Sequence, residues 1–218
     1  MQLTKRLNQP GEHTFLFPGP VGPLEVALSV PADANPHFIA ILGHPHSLQG
    51  GTMNNKVVTT MMRAFHALGI ASLRFNFRGV GESAGVYDAG VGEAEDMLLL
   101  ARQWVSERPE AQVLFAGFSF GSYVAYRAAA QHPHAMLITV APPVHHFDYT
   151  AFELEPEPWL VLQGEVDEVV PTPLVLDFVE RTPAMSLIRF PATGHFFHGQ
   201  LIALKTQLMD WIRTQVDL

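Results

Sequence analysis

Strand-length apolar runs alternate with helix-length segments along most of this chain. The run "FIAIL" (38–42) contains no polar residue, as expected of a strand that is buried on both faces of a sheet. A helix-length stretch follows at 54–68, with Asn54 or Asn55 as its N-cap and Gly69 as its stop signal. Because strands that alternate with helices form mainly parallel sheets covered on both faces, the pattern predicts an α/β fold.

The same alternation continues to the end of the chain. Further strands are predicted at 71–77, 113–118, 135–141, 159–163 and 186–190, and further helices at 92–107, 121–131, 173–181 and 200–216. An alternating segment at 24–30, with 13–17 as its partner, predicts an antiparallel edge ahead of them. Since ligands bind beyond the carboxyl ends of the strands in open parallel sheets, the loops that follow the strands are where functional residues are expected.

Length, composition and charge limit the domain count, the partners and the compartment. The chain has 218 residues, 48% of them hydrophobic, which predicts one globular domain over residues 1–218. Its net charge of −8 argues against nucleic acid as a partner. No apolar run reaches the roughly 18 residues of a membrane span. The N-terminal residues also lack the apolar segment of a signal peptide.

The chain contains no cysteine, which excludes disulfides and thiolate chemistry. Together with the soluble composition, this predicts a cytoplasmic protein. An open-edged sheet and scattered surface aromatic residues are compatible with a homodimer, but no feature of the sequence requires one.

A serine stands between two glycines where a predicted strand meets a predicted helix. The stretch Gly117-Phe118-Ser119-Phe120-Gly121 is a G-x-S-x-G, and such a turn needs small flanking residues because it is tight and strained. The turn raises the serine hydroxyl above the sheet, and the helix N-terminus beneath it stabilises negative charge. The alternative is a Gly/Ser turn without chemistry. The strand–turn–helix context favours a nucleophile elbow, with Ser119 as the nucleophile.

A serine hydroxyl needs a base, and the base needs an acid that orients it. His195 follows Gly194 in "FPATGHFFHG", directly after the last predicted strand, and Asp167 lies in the loop after the preceding strand. The order Ser119, Asp167, His195 is the one expected of this arrangement of strands and helices. The sequence therefore predicts these three residues as a catalytic group.

Other acids and another histidine remain open as alternatives. Glu165 and Glu168 flank the predicted acid, and Asp148 follows the strand after the elbow. The two glutamates are interpreted as solvated loop carboxylates. His198 stands three residues beyond the predicted base and is interpreted as a surface residue or one that supports the site from behind.

The loop "ILGHPHSLQGGTMNN" is the expected source of a second backbone donor. An acyl-transfer site aims two N–H groups at the oxyanion. One comes from the residue after the nucleophile, here Phe120, and the other from the loop after an earlier strand. Because Pro45 has no N–H, the backbone of His46 is the predicted second donor and that of Ser47 is the alternative.

Eleven histidines raise the question of a metal site. Three pairs stand close together in sequence: His44 and His46, His145 and His146, and His195 and His198. None of them matches H-E-x-x-H or another ligand spacing, so no metal site is predicted. The side chains of the first pair are interpreted as structural. The stretch "GVGESAG" (79–85) matches neither a dinucleotide fingerprint nor a P-loop, and is interpreted as an ordinary strand-to-helix loop.

These motifs together resemble those of the α/β-hydrolase family over essentially the whole chain. The segments "GHPH", "NFRGVGESAG", "GFSFGS", "QGEVDEVVP" and "TGHFFHG" stand in the expected order. The pairing of "GHPHSLQGGTMNNKVV" with "FNFRGVGESAG" is similar to a compact bacterial subgroup of serine hydrolases that usually lack a lid. The resemblance implies Ser119 as nucleophile, His195 as base, Asp167 as acid, and the amides of Phe120 and His46 as the oxyanion hole.

The resemblance also implies a reaction. It is the hydrolysis of a small or short-chain carboxylic ester, or of a thioester or amide, without a cofactor. An acyltransferase or a perhydrolase with the same three residues is the alternative, and a non-catalytic binding protein with this fold is a more distant one. Position 45 differs from the family pattern, because many relatives have glycine where this chain has Pro45. The identity of the second oxyanion-hole N–H is therefore less defined.

Residues 142–158 are too few for an inserted lid domain, which implies an open, apolar substrate site. The partner implied is thus a small acyl compound. The residues expected to line the site are Pro142, Pro143, Val144, Phe147, Phe196, Leu48 and Met53.

Overall fold

A computed structural model of the chain describes residues 2–154, 158–182 and 185–216 and places the strands in one sheet. The strands are β1 (Gly11–Gly19), β2 (Gly22–Val30), β3 (Phe38–Gly43), β4 (Ala71–Phe75), β5 (Gln112–Phe118), β6 (Met136–Val140), β7 (Trp159–Gly164) and β8 (Met185–Phe190). The helices are α1 (Gln2–Leu7), α2 (Lys56–Ala67), α3 (Val91–Glu107), α4 (Phe120–Ala129), α5 (Thr172–Glu180) and α6 (Leu201–Gln215), with a 3₁₀ turn at Ser47–Gln49.

The sheet order is β1-β2-β4-β3-β5-β6-β7-β8. Strands β3 to β8 run parallel, whereas β1 pairs antiparallel with β2, and β2 pairs antiparallel with β4. The predicted α/β class and its antiparallel edge are therefore confirmed. After β4 the chain crosses over β3 to β5, which is the fifth of the eight strands in the sheet. The loop that follows β5 begins at the carboxyl edge of the sheet.

The side chains of β5 alternate between two layers of the core. Val113 and Phe115 pack in one cluster with apolar residues of α3, α4 and α5. Leu114 and Ala116 pack in the other with α2 and α6. All four side chains are fully buried. A strand covered on both faces has no polar side to present, which explains its unbroken apolar sequence.

Helix α2 shows how local sequence sets an element's limits. The side chain of Asn55 accepts a hydrogen bond from the N–H of Val57 at 2.8 Å, so Asn55 and not Asn54 is the N-cap. Gly69 follows the helix with φ of 73°, in the left-handed region that favours glycine at this position.

Two local features differ from the sequence prediction. Helix α1 lies ahead of the first strand, where no helix was predicted. Strand β4 ends at Phe75, although the pattern predicts a strand to residue 77. The N–H of Asn76 still donates to the carbonyl of Glu25 in β2 at 2.9 Å, but the N–H of Phe77 donates to His44 Nε2 at 2.9 Å and not to a neighbouring strand.

The segment between β6 and β7 forms turns and bends. Over residues 141–154 and 158, the described part of this connection contains no inserted domain, in agreement with the predicted lack of a lid. Residues 155–157 of the predicted 142–158 segment lie outside the described residues.

Candidate active site

Ser119 occupies the turn that joins β5 to α4. Its φ of 53° and ψ of −123° are values that a residue with a Cβ rarely adopts, and such a conformation costs on the order of 1–3 kcal/mol. The N–H of Ser119 donates to the carbonyl of Val140 at 2.8 Å. The strain and this anchor raise the side chain above the end of the sheet, as the G-x-S-x-G motif predicts.

The two glycines of the motif are required by close backbone packing. A Cβ on Gly117 would overlap the carbonyl oxygen of Gly121, and a Cβ on Gly121 would overlap the backbone of Gly43 at the end of β3. Helix α4 therefore approaches β3 and β5 backbone to backbone. The short distance holds the helix N-terminus directly beneath the serine.

The structure brings the three predicted catalytic side chains together. His195 Nε2 lies 3.1 Å from Ser119 Oγ, and His195 Nδ1 lies 2.8 Å from Asp167 Oδ2. Ser119 follows β5, Asp167 follows β7 and His195 follows β8, so three separate loops meet at one edge of the sheet. His195 is 2% exposed and the Asp167 side chain is not exposed, which shields both hydrogen bonds from water.

Asp167 is held as a carboxylate by several donors. Its Oδ1 accepts the N–H groups of Val169 at 2.8 Å and Val170 at 2.7 Å, and Gln163 Nε2 donates to Oδ2 at 3.2 Å. Burial acts to raise the pKa of Asp167, but the hydrogen bonds from His195 and the two N–H groups outweigh burial and hold that pKa below its usual value. The carboxylate therefore remains ionised beside the imidazole.

The alternative acids have other partners. Glu165 forms an ion pair with Arg189 at 2.8 Å, and exposed Asp148 accepts hydrogen bonds from Thr150. Glu168 is exposed but is not merely solvated: its Oε2 accepts the backbone N–H of His195 at 3.2 Å. Its exposure agrees with the interpretation as a solvated loop carboxylate, and the bond to His195 is an addition that arises because the β7 and β8 loops approach each other only in the folded chain.

His198 is exposed, and its ring lies 6.0 Å from that of Phe196. This agrees with its interpretation as a surface residue. A Cβ on the neighbouring Gly194 would lie 2.6 Å from Glu168 Oε2, the end of a flexible side chain that can shift.

The two predicted oxyanion donors lie on adjacent segments. The rings of His46 and Phe120 are 5.0 Å apart. Within the part of the chain that the structure describes, the N–H groups of His46 and Phe120 have no hydrogen-bond partner. Phe120 begins α4, so its N–H is one of the first-turn donors that a helix leaves open. Among the described residues, both N–H groups are therefore open donors.

His44 is buried and structural, as the sequence interpretation holds. Its Nδ1 lies 2.7 Å from the carbonyl oxygen of Pro45 and its Nε2 accepts the N–H of Phe77. A carbonyl only accepts and an N–H only donates, so the ring is the neutral tautomer with its proton on Nδ1. Burial lowers the pKa of His44 to about 4, although the bond to Pro45 acts to raise it.

The His46 side chain packs against two other aromatic rings, which also contact each other. Its ring lies 4.9 Å from Tyr87 and 5.0 Å from Phe120. Burial lowers the pKa of His46, while the charge of Glu93 acts to raise it.

The segment "NFRGVGESAGVYDAG" after β4 is held by buried charges that the sequence analysis did not single out. Arg78 Nε donates to Asp96 at 2.8 Å, and buried Glu93 accepts the N–H groups of Asp88 and Gly90 at 2.9 Å each. These bonds anchor the loop that carries Tyr87 against His46. The sequence signal was the group of acids near the start of α3, Glu93, Glu95 and Asp96, of which Glu93 and Asp96 are buried.

An open groove of about 360 Å³ lies between the segment after β6 and helix α5. Val144 and Phe147, both predicted to line the substrate site, form part of its wall, and the Phe147 ring lies 5.4 Å from that of Phe120. Leu48 and Phe196 are 71% and 41% exposed. The remaining predicted lining residues, Met53, Pro142 and Pro143, are buried.

The described residues contain neither a metal-binding cluster nor a membrane span. No group of three or more His, Asp or Glu side chains among them is arranged to hold a metal ion. No helix in those same ranges has the length and hydropathy needed to cross a membrane.

Comparison with known proteins places the chain beside several relatives. No family model matches it. An uncharacterised protein of Rickettsia prowazekii (strain Madrid E) is 38% identical over an alignment of 210 residues, which covers 91% of this chain and 87% of the relative. A crystal structure of an α/β serine hydrolase without a lid, from Xanthomonas campestris, is 42% identical with a TM-score of 0.91, covering 97% of this chain and 98% of the other. An α/β serine hydrolase homologue from Coxiella burnetii is 43% identical with a TM-score of 0.86, covering 91% and 96%.

Proposed function

The chain belongs to the lidless α/β serine hydrolases, and within that family we propose that it hydrolyses small or short-chain carboxylic esters through an acyl-enzyme on Ser119. The observation that carries the proposal is the continuous hydrogen-bonded series from Ser119 Oγ through His195 to the ionised Asp167. A serine hydroxyl with such a base and orienting acid is an activated nucleophile.

In the proposed reaction His195 Nε2 takes the proton of Ser119 as Oγ attacks the ester carbonyl. Asp167 holds Nδ1–H, which fixes the tautomer that leaves Nε2 free to accept the proton, and stabilises the imidazolium that forms. His195 then gives the proton to the leaving alcohol and an acyl-enzyme remains. Water attacks this ester by the same route and releases the acid.

The charge on the carbonyl oxygen would be stabilised by the N–H groups of Phe120 and His46. Their lack of partners in the described residues supports this role, since a donor held open in advance needs no reorganisation during the reaction. The N-terminus of α4 adds a favourable potential at the same place.

The shape of the site supports a small substrate. The described residues of the connection after β6 contain no inserted lid domain. Phe196 packs edge-on at 5.1 Å from the His195 ring and is partly exposed, so it offers a limited apolar surface to an acyl group. Such a surface suits a short acyl chain better than a long one, which would remain in contact with water.

Labelling with a fluorophosphonate, followed by mass spectrometry, tests the nucleophile. We expect one adduct on Ser119, with no adduct in Ser119→Ala and strongly reduced labelling in His195→Ala. His198→Ala is the matched control, since it removes an exposed histidine three positions away and should label normally. A folded wild-type protein without an adduct would contradict the proposal.

A series of p-nitrophenyl esters tests the substrate class. We expect kcat/KM to be highest for acetate or butyrate and to fall for octanoate and longer chains. Product analysis with water and with an added alcohol or hydrogen peroxide then separates a hydrolase from an acyltransferase or perhydrolase. Faster turnover of long-chain esters would contradict the proposed size preference.

A further inference from the structure

The carbonyl oxygen of Ser119 lies at the end of a buried hydrogen-bond series that begins at Tyr149. The hydroxyl of Ser122 donates to that carbonyl at 2.6 Å, and Ser122 Oγ lies 2.7 Å from Tyr149 OH. Both side chains are buried. The proposed reaction uses neither of them.

The direction of each bond follows from the groups themselves. A carbonyl oxygen can only accept, so Ser122 gives its single hydroxyl proton to Ser119. Tyr149 must then donate to Ser122 Oγ. The series therefore runs from the Tyr149 hydroxyl through the Ser122 hydroxyl to the Ser119 carbonyl. Each donor in such a series polarises the next.

The bonds act on the residue with the strained backbone. Strained φ and ψ values persist only where the surroundings determine them strongly. The Ser119 N–H is bound to Val140, and its carbonyl receives both the N–H of Ser122 at 2.9 Å and the Ser122 hydroxyl. The peptide groups on both sides of the Ser119 Cα are therefore fixed.

The position of the Tyr149 hydroxyl is set by the core. Its ring lies 5.1 Å from Tyr126, 5.5 Å from Tyr123 and 5.6 Å from Phe178. Burial raises the pKa of Tyr149 well above its usual value, although the bond to Ser122 acts to lower it. The phenol therefore stays protonated and remains a donor at neutral pH.

We propose that Tyr149 and Ser122 are positioning residues for the nucleophile: they hold the strained Ser119 backbone so that Oγ stays in line with His195. The inference rests on the proposed function. Tyr149 lies in the segment after β6, which also forms a wall of the open groove. The proposed role means that this segment helps to set the geometry of the elbow.

The test compares Tyr149→Phe, Ser122→Ala and the double variant with the wild type. The rate constant of fluorophosphonate labelling, kcat and KM for p-nitrophenyl acetate, and the melting temperature are measured for each. Loss of one such bond should slow labelling and lower kcat by about 2-fold to about 10-fold, with KM nearly unchanged. Because Tyr149 acts through Ser122, its replacement should not slow labelling further in the Ser122→Ala background.

Tyr126→Phe is the matched control. Tyr126 belongs to the same aromatic group, but its hydroxyl bonds to the backbone of Phe152 and not to the elbow. We expect it to lower the melting temperature without changing the labelling rate.

Three outcomes overturn the inference. If Tyr149→Phe labels at the wild-type rate while the wild type reacts normally, the inference fails and the proposed function stands. If Tyr149→Phe slowed labelling equally in the wild type and in the Ser122→Ala variant, Tyr149 would not act through Ser122. A wild type that does not label at Ser119 would overturn the proposed function, and the inference with it.

Discussion

Glu168 accepts the backbone N–H of His195 at 3.2 Å, while the imidazole of the same histidine bonds to Asp167. Two adjacent acids on the β7 loop thus hold the β8 loop at two points, one through its backbone and one through its side chain. The distance between Ser119 and His195 depends on both of these contacts, because Ser119 follows β5, the two acids follow β7 and His195 follows β8.

Glu168→Ala should reduce activity without abolishing it. Removing the acceptor frees the His195 backbone, and a single hydrogen bond of about 1 kcal/mol corresponds to roughly a 5-fold loss in kcat/KM. Glu168→Gln retains an oxygen acceptor and should restore most of the activity. Steady-state kinetics on p-nitrophenyl acetate measures both, and identical losses in the two variants would point to the charge of Glu168 instead of the hydrogen bond.

Asp167→Asn should reduce kcat by about 10³-fold to 10⁴-fold, because an amide can hold the imidazole in the wrong tautomer. The protein should remain folded, since the side chain keeps its size. Asp148→Asn is the control, as this acid is exposed and bonds only to its own turn. A loss of less than 10-fold for Asp167→Asn would contradict the assignment of Asp167 as the orienting acid.

The same substitution should alter acid stability. The folded pKa of Asp167 lies below its unfolded value, so its ionisation stabilises the protein above the unfolded pKa of about 3.9. That contribution is lost as the pH falls through the folded pKa. Urea unfolding between pH 6 and pH 2 should therefore show a smaller loss of stability at the acid end for Asp167→Asn than for the wild type.

His44 should make stability fall below neutral pH. Its pKa is lowered from the ordinary value of 6.5 to about 4 in the folded protein, so the unfolded chain takes up a proton that the folded chain refuses. His44 therefore leaves the free energy of unfolding unchanged above about pH 6.5. Below that pH the free energy of unfolding declines, by about 3 kcal/mol in total once the pH reaches about 4. Urea unfolding at a series of pH values measures this slope.

His44→Gln should flatten that slope, since an amide does not titrate. His37→Gln, at an exposed histidine, should leave the slope as in the wild type. If the wild type were equally stable at pH 7 and pH 4.5, a neutral, buried His44 would be contradicted.

Gly121→Ala should destabilise the fold and the site together. Its Cβ would overlap the backbone of Gly43, which cannot move without displacing β3, and we expect a loss of about 3 kcal/mol. Gly50→Ala is the control: its φ is 78°, but a Cβ there meets no atom within 4 Å, so only the conformational cost of about 1 kcal/mol applies. Thermal unfolding should rank the two variants in that order.

Apart from α1 and the end of β4, the strands, the helices and the order of the predicted site residues were predictable because they depend on local patterns. The buried residues 113–118 of β5 are all apolar, and the N-cap at Asn55 and the turn at Gly69 are properties of short stretches. The chain order of Ser119, Asp167 and His195 follows from the succession of strands. The early end of β4 was not predictable, because it depends on Phe77 meeting His44, which is 33 residues away in sequence.

The sequence by itself determined the α/β class, since hydrophobic period acts within one element. It also predicted the nucleophile elbow from the glycine spacing around Ser119, and Asp167 and His195 from their places after two predicted strands. Only the tertiary structure decided that Glu168 holds the His195 backbone, that Glu93 anchors the loop beside His46, and that Tyr149 reaches the elbow through Ser122. Each of these bonds joins a side chain to a backbone or hydroxyl group within about 3 Å. Such distances are set by the packing of whole layers, and no local pattern of residues encodes them.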